Sequence, residues 1–176
     1  FPTRRAADLL TLPTHGLSLR WFRAIMNYPD FITAFFTSVK LAFLSATLSL
    51  VIALPAGLAI ARARFPGRDF LNALLLSPLV IPGLVLGIAL LRFFASIGAT
   101  GSFVWLVLAH TIIVTPFVMR LVLAAATGLD RSVEHAAQSL GASSWTTFQR
   151  VTLPMIAPGI TGGWLLAFIN SFDELT

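Results

Sequence analysis

The chain has 176 residues, of which 57% are hydrophobic and only 11% are charged, whereas a soluble domain usually has about 25% charged residues. This composition excludes an ordinary soluble domain and indicates a helical membrane protein. The absence of cysteine excludes a disulfide framework and a thiolate metal site, and the net charge of +5 does not indicate nucleic-acid binding, because the basic residues are scattered at the ends of apolar runs.

Residues 1–40 differ from the rest of the chain, and we interpret them as a segment on the outer side of the membrane. Ser18 is a suitable N-cap for a short helix in which four apolar side chains share one face: Leu19, Phe22, Ile25 and Met26. We interpret this helix as interfacial; the alternative is an ordinary loop packed on its neighbours. Pro29 and Asp30 then break the chain and restart it. Because the chain begins at Phe1 and stops directly after an apolar run, we expect it to be a fragment.

Four later stretches reach or approach the roughly 20 apolar residues that a transmembrane helix needs. They are residues 41–61, 70–91, 103–119 and 151–172, and each ends beside a charged residue. Strands are not expected, because these runs are continuous and rich in alanine and leucine rather than alternating. The sequence therefore predicts an all-α membrane protein, a polytopic helical bundle with four spans.

The distribution of arginine predicts which loops face the cytoplasm. Three arginines fall in the short loop 62–69 and three in the loop 120–150, which lies on the same side of the membrane. The loop between the second and third spans offers only Arg92. Cytoplasmic loops carry the excess of basic residues, so both arginine-rich loops are predicted to be cytoplasmic. The basic residues of the N-terminal segment oppose this orientation, but most of them lie far from a span, where the rule weakens.

The second and fourth spans share a spacing of prolines and glycines, P-x3-P-G-x3-G. Its residues are Pro78, Pro82, Gly83 and Gly87 in the second span, and Pro154, Pro158, Gly159 and Gly163 in the fourth. Proline bends a helix, and small residues at this spacing let another helix approach closely. We expect two bent helices that pack near each other and line a transport pathway. The alternative is two independent kinks that serve packing only.

Polar residues inside or beside the spans have two interpretations each. His110, in mid-span, is a functional candidate because ionisable groups are rare in a membrane, or a neutral histidine bonded to a neighbouring helix. Asp173 and Glu174 end the fourth span, on the predicted outer side. They can attract a cation at the mouth of a pathway, or simply mark the membrane boundary.

The loop 120–150 is predicted to contain a helix, a turn and a second helix. Asp130 is a good N-cap, and Gly141 suits the left-handed position that follows a helix end. Ser143 or Ser144 can cap the second helix. Between Asp130 and Gly141, four residues at helical spacing form a narrow apolar face: Val133, Ala136, Ala137 and Leu140. This face needs a partner on the water side of the membrane; the alternative is a solvated loop that only joins two spans.

The stretch EHAAQSLGASSWTTFQRVTLP resembles the EAA loop of ABC-importer permeases, whose pattern is E-A-A-x3-G-x9-I-x-L-P. The matching positions keep the spacing throughout: His135, Ala136, Ala137, Gly141, Val151, Leu153 and Pro154. His135 stands where the family usually has glutamate, with Glu134 beside it. The segments LSPLVIPGLVLGIALL, LAHTIIVTPFVMR and AFINSFDELT resemble the spermidine/putrescine branch of this family.

The resemblance implies a fold of the type I ABC-importer permease kind in a bacterial inner membrane. It also implies that the loop docks on an ATP-hydrolysing subunit, with Ala136, Ala137 and Gly141 allowing close approach and Glu134 supplying the acidic contact in place of His135. The implied partners are two ATPase subunits, a second permease subunit, a periplasmic solute-binding protein and membrane lipid. ATP and magnesium would bind the ATPase, with no cofactor or metal on this chain and no enzymatic role for it.

Alternatives remain at this point. The chain itself has no G-x4-G-K-[ST] loop to bind the phosphates of ATP, because its only lysine, Lys40, follows Val39 and not glycine. Any ATP must therefore bind a partner. A proton- or ion-coupled secondary transporter or a channel would need charges embedded along a relay, for which only His110 is a candidate. A structural or sensory membrane subunit would have no ATPase partner. The acidic SFDELT end favours polyamines as substrate, while related permeases carry other small solutes, so the substrate stays open.

Overall fold

The computed structural model describes residues 27–99 and 101–174, and every regular element in those ranges is helical. The helices are α1 (Pro29–Arg62), α2 (Arg68–Leu76), α3 (Gly83–Ser96), α4 (Phe103–Gly128), α5 (Arg131–Ser139), α6 (Ser144–Thr147) and α7 (Leu153–Asp173). A 3-10 turn, Ser77–Leu79, follows α2, and a π-helical turn, Phe148–Thr152, precedes α7. The interfacial helix predicted around Ser18–Met26 lies outside the described residues.

Three helical runs are long and apolar enough to cross a membrane: Pro29–Arg62, Phe103–Gly128 and Ser144–Asp173. A fourth candidate is the pair Arg68–Leu79 and Gly83–Ser96, which is bent by 106°. The predicted all-helical membrane fold is therefore confirmed, with three spans in the described residues, or four if the bent pair crosses as one.

The helices extend further than the apolar stretches on which the prediction was based. The first helix begins at Pro29 rather than Leu41, because proline is well suited to a first helical position and Asp30 places a favourable negative charge in the first turn. The third continues past Met119 to Gly128, because the residues after Arg120 are mostly alanine and leucine, which favour helix. The first part of the predicted loop 120–150 is thus a helical extension of α4.

The chain divides into two compact units, Phe1–Thr37 and Ser38–Thr176. In the second unit, α4 and α7 pack along each other, and the fully buried side chains are mostly small or β-branched: Ala46, Ala53, Val114, Val118, Val122 and Ala167, together with Met119. In lipid the hydrophobic effect gives transmembrane helices little driving force to associate. Such bundles are therefore held together by close packing of small residues and by hydrogen bonds between helices.

Hydroxyl groups form a polar seam between α1 and α4. Ser45 donates to the carbonyl of Val107 at 3.2 Å, and Ser49 donates to the carbonyl of Thr111 at 3.2 Å. Thr115 in turn donates to Ser49 at 3.2 Å. These serines are fully buried, so the seam fixes the register of the two helices while leaving their hydroxyl groups satisfied.

The second predicted span is broken rather than continuous. The backbone leaves the helix at the 3-10 turn, which contains Pro78, and α3 starts after Pro82, whose carbonyl accepts hydrogen bonds from Val85 and Leu86. Two prolines this close remove the backbone donors that a continuous helix would need, and the bend of 106° results.

The fourth span does not follow the expected pattern. Its helix, α7, runs unbroken from Leu153 to Asp173 with Pro158 inside it. Pro154 lies in the first turn, where its missing N–H has no cost. Pro158 lacks the N–H that would bond to the carbonyl four residues earlier, and that carbonyl lies near the start of the helix. The repeated spacing thus breaks one helix and leaves the other continuous.

Candidate functional site

The site that the sequence singled out is the segment from Asp130 to Pro154, which we call the loop segment. Its first helix, α5, begins as predicted: the Asp130 carboxylate accepts a hydrogen bond from the Ser132 N–H at 2.9 Å. This bond, with a second from the Ser132 hydroxyl, lowers the pKa of Asp130. The cap satisfies one of the free donors at the start of the helix.

The end of α5 is a glycine-dependent turn. Gly141 has φ of 90°, in the left-handed region, as the sequence predicted. The Ala142 N–H donates to the Ala137 carbonyl at 3.1 Å and the Gly141 N–H donates to the Gln138 carbonyl at 2.9 Å. This pair of bonds is the Schellman motif, and it stops α5 sharply and turns the chain toward α6.

The second helix, α6, is capped by Ser143, whose hydroxyl accepts a hydrogen bond from the Thr146 N–H at 3.2 Å. This decides between the two serines that the sequence offered. Trp145 and Phe148 stack with their ring centroids 5.6 Å apart. The π-helical turn that follows leads into α7, where Leu153 is half-buried and Pro154 is exposed.

The apolar face of α5 is uncovered in the described part of the chain. Leu140 is 90% exposed and Trp145 is 64% exposed, while Ala136 and Val133 are exposed and Ala137 is half-buried. Exposed apolar side chains beside small residues, on a segment with firmly fixed ends, form a surface that a protein partner can approach closely.

Glu134 points away from this surface, contrary to the expectation that it supplies an acidic contact outward. Its carboxylate lies 2.7 Å from the Arg62 guanidinium at the end of α1. It also accepts a hydrogen bond from the Thr152 hydroxyl. His135, at the position where the family pattern has glutamate, is exposed instead. Because Glu134 already has two partners in its own chain, its charge is engaged internally.

The sequence reasoning missed the residues that hold α5 against the rest of the chain. Besides Arg62 and Thr152, these include Arg131, which donates to the carbonyls of Ala61 and Arg62 at 3.3 and 3.1 Å. The contacts join positions that are far apart in the sequence. No local pattern points to them, apart from the charges at the end of α1 and the start of α5.

The candidate pathway residues lie in separate parts of the fold. Pro78, Pro82 and Gly83 surround the bend before α3, whereas Pro158 and Gly159 lie in α7. In the described residues α7 packs against α4, and no substantial packing joins it to α2 or α3. The expectation that the two proline-rich spans pack near each other was therefore wrong. Gly159 and Gly163 do serve a close helix approach, but their partner is α4.

At the other end of α7, His110 of α4 forms a hydrogen bond between its Nδ1 and the Ser171 hydroxyl at 2.9 Å. The histidine is thus bonded to a neighbouring helix, one of its two expected roles. Its side chain also lines a cavity of about 440 Å³ between α3 and α4, whose other described lining is almost entirely apolar. Asp173 is exposed and Glu174 is half-buried just beyond Ser171.

Comparison with known proteins gives consistent matches. A family model described as "Binding-protein-dependent transport system inner membrane component" matches residues 52–176. The chain is 32% identical to the spermidine/putrescine transport system permease protein PotC of Haemophilus influenzae, covering 96% of the chain and 65% of that protein. It is 33% identical to the putrescine transport system permease protein PotI of Escherichia coli, covering 91% of the chain and 59% of that protein.

A relative with a different named substrate matches at a similar identity. The chain is 34% identical to the molybdenum transport system permease protein ModB of Mycobacterium bovis, covering 94% of the chain and 69% of that protein. The chain therefore spans between 59% and 69% of the length of these relatives.

Proposed function

The chain belongs to the family of binding-protein-dependent transport system inner membrane components, and from this premise we propose that it is a permease subunit of an ATP-driven ABC importer. The observation that carries the proposal is the loop segment. It presents small and apolar side chains, Leu140 above all, on a helix that is capped at both ends and uncovered.

In the proposed mechanism, α5 docks on an ATPase subunit at the cytoplasmic face. Ala136, Ala137 and Gly141 allow the partner to come close, and the polar neighbours set its register. When two ATPase subunits close around ATP, the docked helices convert that movement into alternating access of the pathway. A periplasmic binding protein would deliver the substrate from the other side, and a second permease subunit would complete the pathway.

The distribution of arginine supports this arrangement. Arg131 and Glu134 of α5 contact the end of α1, so the arginine-rich loop 62–69 and the loop segment lie at the same end of these helices. Both carry the excess of arginine that is typical of cytoplasmic loops. With this orientation, Asp173 and Glu174 lie toward the periplasm, where the binding protein would release its substrate.

For the substrate we propose a polyamine. Two of the relatives described above are named for spermidine or putrescine, and the carboxylates of Asp173 and Glu174 suit a polycation at the outer mouth. The molybdenum permease relative supports a different substrate class, since molybdenum dissolved in oxygenated water is an oxyanion. An oxyanion would be repelled by this pair of carboxylates.

The proposal is tested with the full-length protein that contains this chain, which we call the parent. It is purified from its native membrane without cross-linker. We expect an ATPase subunit to co-purify, and we expect cells that lack the parent to lose uptake of labelled putrescine or spermidine but to keep uptake of molybdate. Uptake that survives ATP depletion, in a parent that purifies without any ATPase, would instead support a secondary transporter or a channel. Loss of molybdate uptake alone would keep the importer and reject the polyamine.

A further inference from the structure

Glu134 joins three helical elements at one end of the bundle. It lies in the first turn of α5, its carboxylate pairs with Arg62 in the last turn of α1, and it accepts the hydroxyl of Thr152 directly before α7. The side chain of Glu134 is 14% exposed and that of Arg62 is 25% exposed. The three groups are thus partly withdrawn from water, where an ion pair is screened less than on an open surface.

The Arg62 guanidinium depends on this carboxylate. Its Nε atom is buried and has no hydrogen-bond partner among the described residues. The described ion pair of this guanidinium is the one with Glu134. Removing the carboxylate would leave a partly buried positive charge without compensation, which costs more than the pair itself contributes.

A second link runs parallel to the first. Arg131, the first residue of α5, donates to the carbonyls of Ala61 and Arg62 at the end of α1. The last carbonyls of a helix have no partner within the helix, and a cation near them interacts favourably with the helix dipole. Consequently two sets of contacts hold α5 at the end of α1: the hydrogen bonds from Arg131 to backbone carbonyls and the ion pair between Glu134 and Arg62.

We infer that Glu134 is a positioning residue that couples movement of α5 to α1 and α7, rather than a contact for the ATPase. The inference rests on the proposed function, because it assigns to Glu134 a role in the same loop segment. A partner that displaces α5 moves the end of α1 through Arg62 and the start of α7 through Thr152. The docking surface itself is formed by the residues on the exposed side of α5, among them Ala136 and His135.

The test uses the full-length parent, reconstituted in vesicles with its ATPase subunits and binding protein. It compares Glu134→Gln and Arg62→Gln with Arg64→Gln, a control that removes the same charge from an exposed arginine in the loop after α1. We expect both pair variants to lower the substrate transported per ATP hydrolysed by about three- to tenfold. We expect cross-linking of Ala137→Cys to the ATPase to stay within about twofold of the parent, and the control to match the parent in both.

The exchanged pair Arg62→Glu with Glu134→Arg provides the decisive variant, because it restores opposite charges at the two positions. We expect it to recover more transport per ATP than either of the single exchanges, Arg62→Glu alone or Glu134→Arg alone. If instead Glu134→Gln abolishes the cross-link, and the exchanged pair performs no better than the single exchanges, Glu134 contacts the ATPase and the inference is wrong.

A measurement on the parent alone separates this inference from the proposed function. Thermal unfolding of Glu134→Gln, Arg62→Gln and the double variant forms a double-mutant cycle that needs no ATPase. We expect the double variant to be clearly more stable than the sum of the single effects predicts. Additive effects would overturn the inference, whereas a parent that shows this coupling but never cross-links to an ATPase would overturn the proposed function only.

Discussion

Gly159 shows at the scale of one residue how closely α7 and α4 approach. A β-carbon at this position would lie 2.5 Å from the Cβ of Ala125 and 2.9 Å from the carbonyl oxygen of Leu121. The second of these is a backbone atom, which cannot retreat unless α4 itself moves. Gly162, three positions on in the same helix, would place a β-carbon only in ordinary contact, 3.8 Å from a Leu121 methyl carbon.

We therefore predict that Gly159→Ala destabilises the full-length parent by about 1–3 kcal/mol, the usual cost of forcing extra atoms into a packed interior. Gly162→Ala is the matched control, and we expect it to be neutral or slightly stabilising, because alanine favours helix over glycine by up to about 1 kcal/mol. Thermal unfolding in detergent, followed by tryptophan fluorescence, measures both. Equal stability of the two variants would contradict the close packing of α7 on α4.

At the scale of an element, the loop segment could be predicted well because its signals are local. The cap at Asp130, the left-handed turn at Gly141 and the cap at Ser143 each depend on residues within a few positions of one another. Hydrogen bonds of this kind join a side chain to backbone groups a few residues away, so a short stretch of sequence is enough to indicate them. The extents of α1 and α4 were predicted less well, because an apolar run marks the membrane region and not the end of the helix.

The cap at Asp130 leads to a prediction about pH. Hydrogen bonds from Ser132 lower the pKa of this carboxyl in the folded chain. Its contribution to stability is therefore present above the unfolded pKa of about 4 and is lost as the pH falls through the folded value. We expect the first-turn amides of α5 to exchange hydrogen faster below about pH 4, after correction for intrinsic rates, and Asp130→Asn to remove this dependence.

The second cap of the same segment serves as an internal control for that experiment. The hydroxyl of Ser143 does not titrate, so protection of the Thr146 amide should stay constant over the same pH range. A loss of protection at Thr146 that parallels the loss in α5 would show that the whole segment unfolds in acid, and would reject the Asp130 carboxyl as the cause.

At the scale of the whole molecule, the contacts that position the site could not be predicted from the sequence. Glu134 meets Arg62 and Thr152 across large separations along the chain, and a pattern of charges does not reveal which pairs meet. The same limit explains the wrong partner expected for α7. The glycine spacing correctly indicated that another helix approaches α7 closely. The spacing does not reveal which helix this is, and in the structure it is α4.

The bend before α3 and the continuous helix α7 show how one spacing has two outcomes. In the second span the prolines fall well inside the apolar run and break it. In the fourth, Pro154 falls in the first turn, where it fits a helix start. We therefore keep Pro78, Pro82 and Gly83 as proposed pathway residues near a bend, whereas Gly159 lies in the interface with α4 and Pro158 is exposed.

The central claim is that the loop segment docks on an ATPase subunit, and site-directed cross-linking tests it most directly. The full-length parent with Ala137→Cys is combined with cysteine-bearing candidate ATPase subunits, with and without ATP. Ala63→Cys, an exposed alanine in the arginine-rich loop at the same end of the bundle, is the matched control. We predict a specific cross-link from Ala137→Cys whose yield changes with ATP, and little from the control. A folded parent that forms no such cross-link with any ATPase subunit would contradict the claim.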